Sequence, residues 1–166
     1  MSLKIETGTE NKILRKKSKP VKAITKDTLK FIKKMEETMM AEKGVGLAAP
    51  QVGKNERIIV TLFNQKTIVP MINPEITAHS DDTVVGEEGC LSLPGQWGYV
   101  RRFKEITVKY KTAKGEERTM KLADFNARII QHEIDHINGI LFTDLLESED
   151  ITLNQIIQKE AEKERL

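Results

Sequence analysis

The sequence predicts an α+β fold in which mostly antiparallel sheets pack around a central helix carrying an HExxH motif, with N-terminal and C-terminal helices beside them. Two observations predict it. Runs rich in β-branched residues cluster between residues 57 and 122 and are joined by short turns. Apolar residues at helical spacing lie before that block, near 25–43, and after it, from 125 onward.

Residues 11–34 carry Lys12, Arg15, Lys16, Lys17, Lys19, Lys22, Lys26, Lys30, Lys33 and Lys34, opposed only by Asp27. Phe31 is its single aromatic residue, and no series of aromatics is interleaved for stacking on RNA, so the stretch reads as a solvated basic face. A helix starts near Thr25 or Asp27, either of which can cap it, buries Leu29, Ile32, Met35 and Met39, and stops at Gly44. The methionines read as core filler. The run GVGLAAPQVG, 44–53, lets backbone approach something closely and then delivers one long polar side chain, Gln51. No G-K-[ST] follows, which excludes a phosphate loop; the plain alternative is a tight turn between helix and strand.

Segments 57–63 and 68–72 read as strands joined by a turn at 64–66, with Asn73-Pro74 closing the second. Residues 77–82 read as polar loop, with His79 a solvated surface residue. The stretch 84–93 contains EGCLSLP and is extended. Three more strands follow at 99–103, 105–111 and 116–122, the last two forming a hairpin around 113–115. Asp124 can cap a helix over 125–138 that shows Phe125, Ile129, His132 and His136 on one face, and Gly139 stops it. A final amphipathic helix over about 150–165 turns Ile151, Leu153, Ile156, Ile157 and Ala161 inward.

A chain of 166 residues, 39% apolar, suits one domain, 1–166, around one core. Its formal charge of +2, from 27 basic and 25 acidic residues, makes no claim on an acidic partner. The single cysteine, Cys90, excludes an intramolecular disulfide framework and favours a reducing, cytoplasmic setting. The first residues form no signal-peptide core, and no apolar run reaches membrane length.

The chemistry concentrates in QHEIDHINGILF, 131–142. On a helix, His132 and His136 stand one above the other and can converge on one ion, while the Glu133 carboxylate can reach a water on that ion without being a ligand. The bland reading is two histidines on an ordinary amphipathic helix. Two imidazoles leave a metal too open, so a third ligand is needed. Cys90, Asp124, Asp135, Asp144, Glu147 and His79 are the candidates. Asp135 points away from the imidazoles, and a thiolate is a strong donor to zinc or ferrous iron. Against this, a lone cysteine is more often a small buried hydrophobe.

GVGLAAPQVG, EGCLSLP and QHEIDHINGILF, in this order and at these separations, resemble the three signature motifs of the peptide deformylase family. The resemblance extends to ILRKKSKPV, MINPEI and NARIIQHE and covers about residues 10–146. It implies Cys90, His132 and His136 as ligands of one divalent metal ion. Ferrous iron is favoured by the resemblance, with zinc, nickel or cobalt also compatible with the donor types. It implies Glu133 as general acid/base, and Gln51 with the Leu91 N–H as donors to the oxyanion formed when a metal-bound water attacks a formyl carbon.

The implied substrates are N-formylmethionyl peptides, laid as an added strand beside Val45 and Gly46. The methionine side chain would enter a pocket drawing on Val45, Phe125, Ile129 and the His132 ring, with Gly89 beside the ligand strand. Glu88 and Arg102 resemble an ion pair that holds that strand; a surface pair is the alternative. Trp97 and Gly86 depart from the family pattern, and the resemblance implies no preference at those positions. The charge-balanced C-terminal end does not support a basic ribosome-docking tail, leaving only a transient ribosome contact, and neither sequence-specific nucleic acid nor membrane is implied. The rival classes are a zinc metallopeptidase built on the same HExxH helix and a non-catalytic ribosome or RNA binder with a structural metal.

Overall fold

The computed structural model describes residues 2–165, with residues 149–155 described by their backbone alone. A five-stranded antiparallel sheet runs in the order β1 (Gly46–Ala48), β2 (Ile58–Phe63), β3 (Thr67–His79), β6 (Glu105–Lys111), β7 (Glu117–Ala123). A separate two-stranded antiparallel sheet pairs β4 (Thr83–Cys90) with β5 (Leu93–Phe103). The helices are α1 (Lys12–Arg15), α2 (Lys26–Ala41), α3 (Asp124–Ile137) and α4 (Glu149–Glu164). The α+β class and the antiparallel pairing stand as the sequence predicts.

β2, IIVTLF, is apolar on both sides because both faces of its sheet are covered. Ile59 and Phe63 pack with Ile130, Ile134 and Ile137 of α3, whereas Ile58 and Val60 pack with Ile32, Met35 and Met39 of α2. This period of two sets the sheet between the two helices. α3 also reaches the smaller sheet: Gln131 accepts from the Phe103 N–H at 2.9 Å and donates to the Phe103 carbonyl at 2.9 Å. The HExxH helix is thereby wedged between the end of β5 and the large sheet.

Several local expectations need correction. α2 is capped by Thr25 through a reciprocal capping box with Thr28, and the inward row is Thr28, Ile32, Met35, Met39. Leu29, one position off that row, is 42% exposed. The left-handed residue that ends α2 is Lys43, at φ 57°, and not Gly44, whose N–H bonds back to the Met39 carbonyl at 2.9 Å. β3 does not close at Asn73-Pro74 but continues to His79 through a shift of register between Ile72 and Glu75. Asn73, at φ 51°, absorbs the irregularity, and its side chain accepts from the Val21 N–H at 2.8 Å and donates to the Val21 carbonyl at 2.9 Å. His79 is exposed as expected, yet it lies in a strand and stacks on Phe103 with ring centroids 3.7 Å apart.

Asp124 does not cap α3. Ala123 holds the cap position without a side-chain bond, and the Asp124 N–H is anchored on the Lys104 carbonyl at 2.8 Å, so a tertiary contact sets the helix entry. Gly139 ends α3 at φ 75°, and a Cβ there would collide with the Arg15 carbonyl oxygen. That close approach seats α1, a turn capped by Asn11 that buries Leu14 and that sequence patterning passed over. In α4, Ile157 is 53% exposed and does not turn inward; Ile151 and Leu153 fall outside the described side chains. Among the described residues, no helix is long and apolar enough to cross a membrane.

Candidate active site and metal centre

His132 and His136 lie one turn apart on α3 with their Nε2 atoms 3.2 Å from each other. Cys90 ends β4 and brings Sγ to 3.3 Å from His136 Nε2. The three donor atoms lie within 4.8 Å of one another. The far side of His132 is fixed: Nδ1 sits 2.8 Å from Glu88 Oε1. An ionised carboxylate only accepts, so Nδ1 carries the proton and, in the neutral ring, Nε2 turns its lone pair toward His136 and Cys90. A sulfur and two imidazole lone pairs converging on one point are what a soft or borderline cation takes, and the cluster fits such an ion.

Glu88 is buried and every lone pair of its carboxylate is used. Oε1 accepts from Arg102 Nη2 at 2.9 Å and from His132 at 2.8 Å; Oε2 accepts from Arg102 Nε at 2.9 Å and from Arg128 Nη1 at 2.6 Å. Burial opposes its ionisation, but the bonds from Arg102 and His132 outweigh burial and hold it well below the usual carboxylate range. The Glu88–Arg102 pair is therefore buried rather than a surface pair, with side-chain exposures of 5% and 6%. Arg102 also bonds to Asp135, which faces away from the cluster.

In the metal-free cluster, burial disfavours an imidazolium at His132, yet its partnerships with Cys90 and the Glu88 carboxylate push it up to about 10. His136 goes the other way: burial, then the neighbouring His132 charge, lower it well below the ordinary histidine value. Burial also pushes the Glu133 carboxyl up to about 7. That carboxyl keeps Oε1 4.0 Å from His132 Nε2, and its Oε2 is buried without a partner. It rests against Gly46, where a Cβ would stand 2.7 Å from Oε1.

The cluster opens onto a cavity of about 720 Å³. Val45, Gly46, Gly89, Leu91, Phe125 and Ile129 all line it, as do Gln51, Glu88, Cys90, His132 and Glu133. Ile129 is buried, whereas Phe125 stands at the rim, 59% exposed. Arg102 and His136 lie behind the wall. The Gln51 amide is set by short contacts: Oε1 accepts from the Ala48 N–H at 2.9 Å, and Nε2 donates to Ser92 Oγ at 3.1 Å and approaches Cys90 Sγ at 3.5 Å. Trp97 is 71% exposed and leans over Gly89, where a Cβ would collide with its ring.

Sequence reasoning missed two residues here. Ser92, fully buried within EGCLSLP, orients Gln51. Arg128, one turn before His132 in the otherwise apolar approach to the motif, is 9% exposed and bonded to Glu88. A charged residue in an inward helical row was its only signal.

An α+β fold whose HExxH helix meets a cysteine at a cavity wide enough for a chain end belongs to the class of hydrolases with a Cys-His-His donor set. Known relatives narrow the class. Residues 3–151 match the polypeptide deformylase family. The peptide deformylase of Halothermothrix orenii is 50% identical over 133 residues, 80% of this chain and 86% of that protein. The crystal structure of peptide deformylase from Thermotoga maritima superposes with a TM-score of 0.85 at 41% identity, covering 89% of this chain and 99% of that one. A Met-Ala-Ser-bound class I type b peptide deformylase from Acinetobacter baumannii gives 0.83 at 36% identity, covering 88% and 99%. The chain belongs to the polypeptide deformylase family, hydrolases that remove the N-terminal formyl group from nascent peptides. This family membership displaces both rival classes, the HExxH metallopeptidase and the RNA-binding domain.

Proposed function

We propose that the chain performs this deformylation with Cys90, His132 and His136 holding one divalent ion, Glu133 moving the proton, and Gln51 and Leu91 receiving the oxyanion. The observation that carries the proposal is the convergence of three donor atoms within 4.8 Å beside a buried carboxyl with one unpartnered oxygen. When bound, the ion supplies Lewis acidity toward the formyl oxygen and toward water. The cluster's thiolate and imidazoles, together with the family resemblance, favour ferrous iron, with zinc next, and a reducing cytoplasm would protect such a thiolate.

Glu133 takes the proton of the attacking water and returns it to the amine that leaves. A carboxyl pushed up to about 7 can both accept and donate near neutrality. Gln51 Nε2, aimed past Cys90 Sγ, and the Leu91 N–H in the turn after β4 offer two donors where negative charge develops on the formyl oxygen. Ser92 and Ala48 hold the Gln51 amide ready, so no reorganisation is needed during reaction.

β1 is an edge strand of the large sheet, and Gly46 lines the cavity, so the peptide can extend along a free edge by main-chain pairing. Val45, Phe125 and Ile129 then receive the first side chain, with Gly89 across from them. The Met-Ala-Ser tripeptide bound to the Acinetobacter baumannii enzyme is the product such a substrate would leave. Purified, metal-loaded protein given formyl-Met-Ala-Ser should release formate and leave casein intact, and Glu133→Ala should abolish release while metal content stays near one per chain. Casein cleavage without formate overturns the proposal.

A further inference from the structure

Arg128 stands on the cavity wall that the first side chain of the substrate is read to enter, and its role in specificity rests on that reading. An arginine that remains charged must place five N–H donors. Nη1 donates to Glu88 Oε2 at 2.6 Å and to the Val100 carbonyl at 2.9 Å, and Nη2 donates to the Val84 carbonyl at 2.7 Å. Three of the five are thus placed. The Nε–H and the second Nη2–H have no acceptor among the described residues.

Nε is nonetheless not sealed. The fully buried unpartnered side-chain atoms among the described residues are Ser18 Oγ, Asn55 Oδ1, Glu133 Oε2 and His136 Nδ1. Arg128 lines the cavity and retains 11% of its side-chain surface, so its free donor edge opens there. Gly86 packs on the face of the same guanidinium: a Cβ there would stand 3.0 Å from Arg128 Cζ and Nη2 and 3.1 Å from Nε, so any larger residue would push the group out of its place. The residues read to receive that side chain beside it, Val45, Phe125 and Ile129, are apolar. A fixed cation with an unused donor in an apolar wall selects for an acceptor.

We propose that Arg128, whose guanidinium is seated against Gly86, is a specificity-determining residue that donates a hydrogen bond to the tip of the substrate's first side chain. Side chains ending in an acceptor are favoured over aliphatic ones of equal length. A thioether sulfur is a weak acceptor and a sulfoxide oxygen a strong one. The pocket therefore tolerates oxidised methionine, which a purely apolar pocket of the same size would reject.

The test compares kcat/KM for formyl-Met-Ala-Ser, formyl-norleucyl-Ala-Ser and the formyl-methionine-sulfoxide counterpart in the metal-loaded protein. The sulfoxide peptide should be cleaved at least as well as the norleucine peptide. In Arg128→Met the sulfoxide-to-norleucine ratio should fall roughly tenfold or more. A ratio cancels any general loss from the disturbed Glu88 cluster. Gly86→Ala, which keeps the arginine but displaces its guanidinium, should shift the ratio the same way and carries the test if Arg128→Met does not fold. Inhibition by the deformylated peptides should follow the same order without turnover. A ratio unchanged within about twofold in the variant or variants that fold overturns the proposal alone. No formate from any of the three peptides overturns the deformylase reading beneath it.

Discussion

His132 is held from behind by Glu88, whose Oε1 lies 2.8 Å from Nδ1, and the same carboxylate is the meeting point of two buried arginines. One side chain thus fixes the tautomer of neutral His132, joins β4 to α3 and neutralises charge beneath the cavity. Removing it should do more than trim a contact. Glu88→Ala leaves Arg102 and Arg128 without their shared anion, and breaking a buried pair from one side costs about 3–5 kcal/mol. With the imidazole no longer oriented, metal affinity should also fall about 10–100-fold. Denaturant unfolding and competition with a chelator measure the two effects, and a loss below about 1 kcal/mol would show that the cluster is not a structural unit.

Glu133 gives a pH-dependent stability in the metal-free protein. Its carboxyl is pushed up to about 7 from 4.5 by burial, so the folded state binds the proton more tightly than the unfolded state does. Stability therefore falls as pH rises from about 4.5 to about 7, and the full penalty is present above that window. Glu133→Gln removes the penalty. At pH 8 the metal-free variant should be more stable than the parent by on the order of 2–3 kcal/mol, with the gap closing toward pH 5. Denaturant curves at both pH values decide it; a gap that is constant with pH would place the carboxylate in a solvated setting.

The large sheet was legible because β2, β6 and β7 are bounded by turns and their β-branched residues follow the pleat. The continuation of β3 past Asn73-Pro74 was not, since Pro74 cannot donate to a ladder, and the strand is carried on by the bonds between Asn73 and Val21 and by pairing with β6 that resumes at Glu75. His132, Glu133 and His136 were visible because ligand spacing is local to one helix. Cys90 entered as one candidate among several and took its place through family motifs, since its nearness to the histidines joins residues 46 positions apart. Arg128 and Ser92 were invisible for the same reason: their partners, Glu88 and Gln51, lie on other elements. No pattern within one helix or strand encodes a shared carboxylate.

Metal binding should release protons. In the metal-free cluster His132 is pushed up to about 10, so near pH 7 it is an imidazolium. That charge contributes stability fully present below the ordinary histidine value of about 6.5 and lost as pH rises through about 10. An incoming cation needs the Nε2 lone pair and must displace the proton. Titration calorimetry in buffers of different ionisation enthalpy should therefore report at least one proton released per ion at pH 7, and affinity should weaken on acidification. A release near zero would mean that the cluster carries no proton for the ion to displace.

Gly46 should be intolerant of even one carbon. An alanine Cβ there would stand 2.7 Å from Glu133 Oε1 and 2.9 Å from its Cδ and Cγ, and the Glu133 side chain is buried against β1. Either β1 shifts at the sheet edge or the carboxyl leaves the position from which the proposed reaction has it take a proton. Overpacking of this kind costs about 1–3 kcal/mol, and a misplacement of the proton carrier by about 1 Å lowers turnover on the order of 100-fold. The Cys90, His132 and His136 donors are untouched, so metal content should stay at the parental level. Gly44→Ala is the contrast: its Cβ would meet Leu91 Cδ1 at 3.0 Å, the free end of a side chain that can rotate. Formate release, metal content and thermal unfolding measured on both variants separate the cases. Equal losses in the two would mean that crowding of the cavity mouth, and not pressure on Glu133, limits the reaction.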